Sequence, residues 1–133
     1  MRIERGNVPA LAPPPGYTHY ASVVGNRFVF LAGQVPLDAE GNLVGGDLIA
    51  QLQQCVNNLS ATLRLLDARP EQAVRTTVYV VASEQGQLGR VWRELRDSEM
   101  GGVTRTAATL VGVAQLGYPG QLVEIEVTLA LPE

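Results

Sequence analysis

Apolar positions in the middle of the chain recur at Leu48, Leu52, Cys55, Val56, Leu59, Leu63 and Leu66, one stripe at helical spacing. Asp47 stands where a cap would accept the first free backbone N–H, and Arg69-Pro70 resists continuation, so a helix is predicted from Leu48 to near Ala68. Near the end of the chain the period changes to two. Val123, Ile125, Val127 and Leu129 alternate with Glu124, Glu126, Thr128 and Ala130, which predicts a strand over 122–131 with one apolar face and two carboxylates on the other. Residues 72–82 alternate similarly, with Val74, Thr76, Val78 and Val80 opposite Arg75, Thr77, Tyr79 and Val81. Residues 107–116 form another β-rich run, joined to 122–131 by the turn Gly117-Tyr-Pro-Gly120.

A weaker helical stripe, Leu88, Val91, Trp92 and Leu95, predicts a second helix from Gly86 to about Met100, with Trp92 assigned to packing ahead of a ligand platform. Short β-rich runs at 21–24 and 27–32 flank Gly25-Asn26 and predict a hairpin. Leu43-Val44, between Asp38–Asn42 and Gly45-Gly46, predicts a brief strand. Pro9, Pro13, Pro14 and Pro15 mark residues 1–15 as an extended N-terminal segment, leaving 16–133 as a single domain. The order ββ(β)αβαββ predicts an α+β fold, two helices packed on one face of an open, mostly antiparallel sheet. Val and Ala crowd both faces of several strands, so the uncovered face predicts self-association.

Composition removes several classes of chemistry. All ten basic residues are arginine, so no lysine can form a Schiff base and a lysine-linked pyridoxal cofactor is excluded. One histidine, His19, and one cysteine, Cys55, rule out Cys/His zinc frameworks, intramolecular disulfides and paired-cysteine redox motifs, so neither metal nor cofactor is expected. Cys55 lies on the apolar stripe and reads as core. A net charge of −3 leaves no electrostatic footprint for nucleic acid. No apolar run suits a membrane span and no basic-then-apolar leader opens the chain, so no membrane partner and a cytoplasmic location are expected.

Ala107-Ala-Thr-Leu-Val-Gly-Val-Ala-Gln-Leu116 followed by Leu122-Val-Glu-Ile-Glu126 resembles the signature of the Rid (reactive intermediate deaminase, YjgF-like) family. The likeness runs from about Gly16 to Leu131 through Phe30-Leu-Ala-Gly-Gln-Val-Pro36, Gly41 to Val44, Gln51, Asn58-Leu59, Val78-Tyr-Val80 and Val91-Trp92. It implies a chorismate-mutase-like fold and a homotrimer whose small-molecule clefts lie between subunits, with ligand groups from both. It also implies 2-iminobutanoate/2-iminopropanoate deaminase chemistry, in which an arginine grips the substrate carboxylate and a glutamate holds or activates the attacking water. A guanidinium meets a carboxylate through two parallel charge-assisted bonds, which fixes orientation as well as affinity.

Glu124 matches that glutamate, and the resemblance implies a catalytic role for it. The arginine does not match: counting back from Val111-Gly-Val-Ala114, its position falls on Ala108. Losing one partner of a buried charge pair typically costs ~2–5 kcal/mol, so weak or no turnover of 2-imino acids is expected. Ala32 takes the place of a serine before Gly33-Gln34, and Tyr17 and Tyr20 both compete for a tyrosine position. The implied substrate-binding set is therefore Tyr17, Tyr20, Ala32, Gly33, Arg105 and Ala108, with Arg105, or alternatively Arg90, reaching the cleft if 104–106 form a loop. An alternative activity is hydrolysis of a different imine or enamine, an uncharged one among the candidates, by Glu124 with a water and Tyr17 or Tyr20, with His19 as a candidate acid or base. Ribonuclease or translation-inhibitor activity, attributed to some family members, finds no support in an acidic chain with one histidine.

Overall fold

In the computed structural model, which describes residues 1–25 and 27–133, six strands and two α-helices follow one another as β1 (Arg2–Gly6), β2 (Tyr20–Val24), β3 (Arg27–Phe30), α1 (Leu48–Leu65), β4 (Ala73–Val81), α2 (Gln85–Arg96), β5 (Ala107–Val113) and β6 (Val123–Leu131). The larger sheet has the order β3-β6-β4-β5, antiparallel except for the β4–β5 pair that the α2 crossover joins. Both helices cover the same face, α1 over β6 and α2 over β4 and β5. The fold is thus the expected α+β layer, with Leu52, Cys55, Val56, Leu59 and Leu63 of α1 packed into a core shared with Val78, Val80, Val123, Ile125, Val127 and Leu129.

The stripe on α1 is capped as its sequence predicts, the Ala50 N–H donating to Asp47 Oδ1 at 2.9 Å. The helix stops earlier than Ala68 because Asp67 turns left-handed at φ 53°. The Ala68 N–H then bonds the Leu63 carbonyl at 2.8 Å and the Asp67 N–H bonds that of Arg64 at 3.2 Å, closing the helix end on itself. The second helix also ends early, at Arg96 rather than near Met100. There Ser98 Oγ donates to the Leu95 carbonyl, and the chain passes so close to the Arg96 carbonyl that any side chain on Gly101 would overlap it.

Four local expectations are refined. The N-terminal segment contributes strand β1, which pairs with β2 from Arg2↔Val24 to Gly6↔Tyr20 and is anchored where Arg5 donates to the Glu71 and Ala73 carbonyls. The expected hairpin at 21–32 does not organise the sheet: β2 pairs with β1 and β3 with β6, while the turn residue Asn26 lies outside the described residues. The brief strand at Leu43-Val44 is only a single bridge, Leu37↔Leu43, in a loop closed by Asp38 Oδ1 accepting from the Glu40 and Asn42 N–H groups. In β4 a bulge between Ala73 and Arg75 turns Ala73 into the core and leaves Val74 half-buried, so the core face is Thr76, Val78 and Val80.

The opposite face of the larger sheet is uncovered in one chain. Cross-strand register puts Phe28 and Phe30 of β3, Glu124 and Glu126 of β6, and Arg75, Thr77 and Tyr79 of β4 on it. Phe28 and Phe30 stack with ring centroids 6.3 Å apart, and Phe30 is 77% exposed.

Candidate functional site

Glu124 lies half-buried on the uncovered face of β6, directly opposite Tyr79. Two loops flank it, and α1 pins both. Gln51, buried on the core side of that helix, donates to the Gly120 carbonyl at 3.0 Å and accepts from the Leu122 N–H at 2.7 Å. Two helical turns later Asn58 donates to the carbonyls of Val35 and Leu37 at 2.8 and 2.9 Å. These bonds satisfy loop groups that would otherwise be left dry against the helix.

The carboxylate is held from two sides. Gln121, only 3% exposed, donates its Nε2 to Glu124 Oε1 at 3.1 Å and to the Val123 carbonyl at 3.0 Å, and its Oε1 accepts from the Tyr118 N–H at 3.2 Å. On the other side the Gln34–Ile125 pair, bonded at 2.7 and 3.1 Å in both directions, brings Gly33 against Glu124 Oε2. A side chain at Gly33 would overlap the carboxylate, so glycine is needed here for space. Ala32, next to it, is exposed and uses its carbonyl to accept from Gln34 Nε2 at 2.9 Å.

Two neighbours respond to this charge. The Tyr79 hydroxyl donates to Glu126 Oε1 at 3.1 Å, and its ionisation is pushed above the ordinary tyrosine value by partial burial first, then by Glu126 and Glu124. The Cys55 thiol, behind β6 in the core, is pushed up from 9.0 to about 12 by burial and then by the Glu124 charge. It therefore stays protonated at neutral pH and is no nucleophile, in keeping with its place in the apolar stripe.

Ala108 belongs to different surroundings. It pairs in register with Thr76, which is fully buried, so it faces α2 and not the face that carries Glu124. With β4 between β5 and β6, the two residues are separated by two strand spacings, ~10 Å, as well as by the sheet itself. Beside Ala108 opens a cavity of about 310 Å³ lined by Pro15, Tyr17, Trp92, Ala108 and Leu110. The Thr18 N–H bonds the Thr106 carbonyl at 3.0 Å and so brings Tyr17 to this edge.

Between the two tyrosines, Tyr17 lines the cavity, while the Tyr20 ring lies against Gly6 in the small sheet. Arg105 follows a 3-10 turn, Gly101–Thr104, and precedes the strand, so the loop that its rescue required is present. Its side chain, like that of Arg90, is exposed, and neither lines the cavity. His19 is occupied elsewhere: Nδ1 accepts from the Val8 N–H at 2.9 Å and its own N–H donates to Asn7 Oδ1 at 3.1 Å, closing the neck of the proline-rich loop. Sequence reasoning missed Gln121, whose burial beside Glu124 follows from tertiary packing, and gave Trp92 to packing, whereas it both packs on the core and lines the cavity. No group of three or more metal-ligating side chains occurs among the described residues.

Comparison with known proteins agrees with the fold and with the motif. A model of the family described as Endoribonuclease L-PSP matches residues 10–131. A RutC family protein of Pyrococcus abyssi is 34% identical over 108 residues, 79% of this chain and 80% of that protein. The crystal structure of YyfB from Yersinia pestis, a protein of unknown function of the Rid family, superposes with a TM-score of 0.81 at 33% identity, covering 98% of this chain and 100% of that one. A putative endoribonuclease of Thermotoga maritima superposes at 0.63 with 28% identity, over 97% and 93%. With the residues 107–126 that suggested it now set on this fold, the chain belongs to the Rid (YjgF-like) family.

Proposed function

We propose that this Rid protein works as a homotrimer with a small-metabolite pocket between subunits, and that it turns over 2-imino acids weakly or not at all. The observation that carries this reading is the separation of Glu124 and the Ala108 cavity onto opposite faces of one sheet. One subunit then supplies the carboxylate and its Gly33 wall, and a neighbour supplies Tyr17, Trp92 and Ala108. The carboxylate half keeps what hydrolysis of a C=N bond requires: an oriented acceptor for one water, which adds to the imine carbon while nitrogen takes up protons and leaves as ammonia. The other half offers a substrate carboxylate no cation among its lining residues.

Ammonia release from enzymatically generated 2-iminobutanoate, run beside an uncharged imine made by an amine oxidase, tests the reading. Near-background rates on the imino acid are expected, and rates typical of deaminases of the family would overturn it. Sedimentation of the purified protein should give three chains per particle; a stable monomer would leave the pocket incomplete. A second reading, turnover of the uncharged imine itself, is favoured by the intact arrangement around Glu124, and the same assay decides it. The endoribonuclease description is not carried over, since a net charge of −3 gives the chain no overall attraction to RNA.

A further inference from the structure

We propose that the cavity beside Ala108 is a subsite for a flat, uncharged ring, such as the aryl part of an imine. At about 310 Å³ it lies at the small end of the range for small-molecule sites and suits one six-membered ring with a short substituent. Its walls are the rings of Tyr17 and Trp92 with Pro15, Leu110 and the methyl of Ala108, and none of them is charged. Aromatic faces of this kind favour offset or edge contacts with another ring, whereas a carboxylate placed here would lose its water without gaining a cation.

The wall itself is positioned: the bonds of His19 to Val8 and Asn7 close the loop that carries Pro15, and the bond of Thr18 to Thr106 fixes the approach of Tyr17.

This inference rests on the proposed function only in placing the ring near Glu124 of a neighbouring subunit. Ring binding itself can be read without turnover, because Trp92 is the single tryptophan of the chain and lines the cavity. Full-length protein is titrated with benzamide and with benzoate while tryptophan emission is followed. A saturable change with benzamide is expected, and benzoate should bind about tenfold or more weakly. Ala108→Leu, which fills the cavity, should weaken benzamide by a similar factor while the far-ultraviolet dichroism stays unchanged.

Equal or tighter binding of benzoate, or no saturable response to benzamide, would overturn the proposal. So would benzamide binding that Ala108→Leu leaves intact in a folded protein. If 2-iminobutanoate is hydrolysed to 2-oxobutanoate and ammonia at rates typical of the family, the function above fails while the benzamide titration still decides the subsite. If the titration fails while imino acids remain poor substrates, only the subsite falls.

Discussion

Glu124 stands beside a mesh of loop hydrogen bonds and accepts one, from Gln121, whereas Ala108, two strands away on the other face, stands among aromatic and aliphatic walls. The first set of surroundings comes from loops pinned by one helix, through Gln51 and Asn58. The second is assembled from an N-terminal loop, Trp92 of α2 and an edge strand. Hydrogen bonds fix a carboxylate in position and direction; apolar walls fix a shape and tolerate changes of volume better than changes of charge. A pocket joining the two would therefore hold its chemistry constant and vary its ligand on the Ala108 side.

The sharpest break in that comparison is Glu124→Gln. Turnover of any imine that the protein accepts should fall by ~10²–10⁴-fold with ligand binding at the Trp92 cavity preserved, and unchanged steady-state rates would remove Glu124 from the proposed mechanism. Ala108→Arg works on the other half. It should raise the preference for 2-imino acids over uncharged imines by about 30-fold or more, read as a ratio of kcat/KM values, because it supplies the missing cation. No change in that ratio would mean that position 108 does not face the substrate.

Gln121→Ala tests whether the mesh is structural as well as functional. It leaves the Tyr118 N–H and the Val123 carbonyl without their buried partner and should cost about 1–3 kcal/mol in urea unfolding, whereas Ala108→Ser, among the apolar walls, should cost less. The effect of pH is smaller and comes from Cys55. Its folded-state pKa of about 12 exceeds the ordinary 9.0, so the native protein holds that proton more tightly than the unfolded chain does. That contribution is complete below pH 9 and is lost as pH rises toward 12. Native Cys55, fully buried as well as hard to ionise, should accordingly resist iodoacetamide at mildly alkaline pH and react readily once the chain is unfolded in urea.

Much of the framework was legible because it rests on periodicity. The stripe of α1 and the alternation of β6 each repeat often enough that a one-residue slip would turn every apolar side chain of β6 outward and rotate the α1 stripe by about 100°. What escaped was set by single events. A bulge at Val74 exchanges the faces at the start of β4, a left-handed Asp67 ends α1 ahead of Pro70, and β1 finds a partner only once β2 is in place.

The site divided along the same line. Glu124 and Gly33 lie in motifs and could be named as candidates from them, and the structure shows that a side chain at Gly33 would overlap the Glu124 carboxylate. The cavity beside Ala108 draws on residues 15, 17, 92, 108 and 110, and no local pattern joins an N-terminal proline to a tryptophan on a helix. Tyr17 could be told from Tyr20 only through tertiary contacts, the Thr18–Thr106 bond for the first and Gly6 for the second. Arg105 and Arg90 also have the right chemistry in the sequence, and in the single chain both side chains are exposed.

The left-handed turn at Asp67 has a practical consequence for anyone altering this pocket. A residue with a Cβ in that conformation carries a backbone penalty that glycine avoids, and Asp67 is exposed at the far end of α1 from its Asp47 cap. Asp67→Gly should raise stability by roughly 0.5–1 kcal/mol, seen as a higher urea midpoint at unchanged slope. That margin would let destabilising ligand-side substitutions be tested in a protein that still folds.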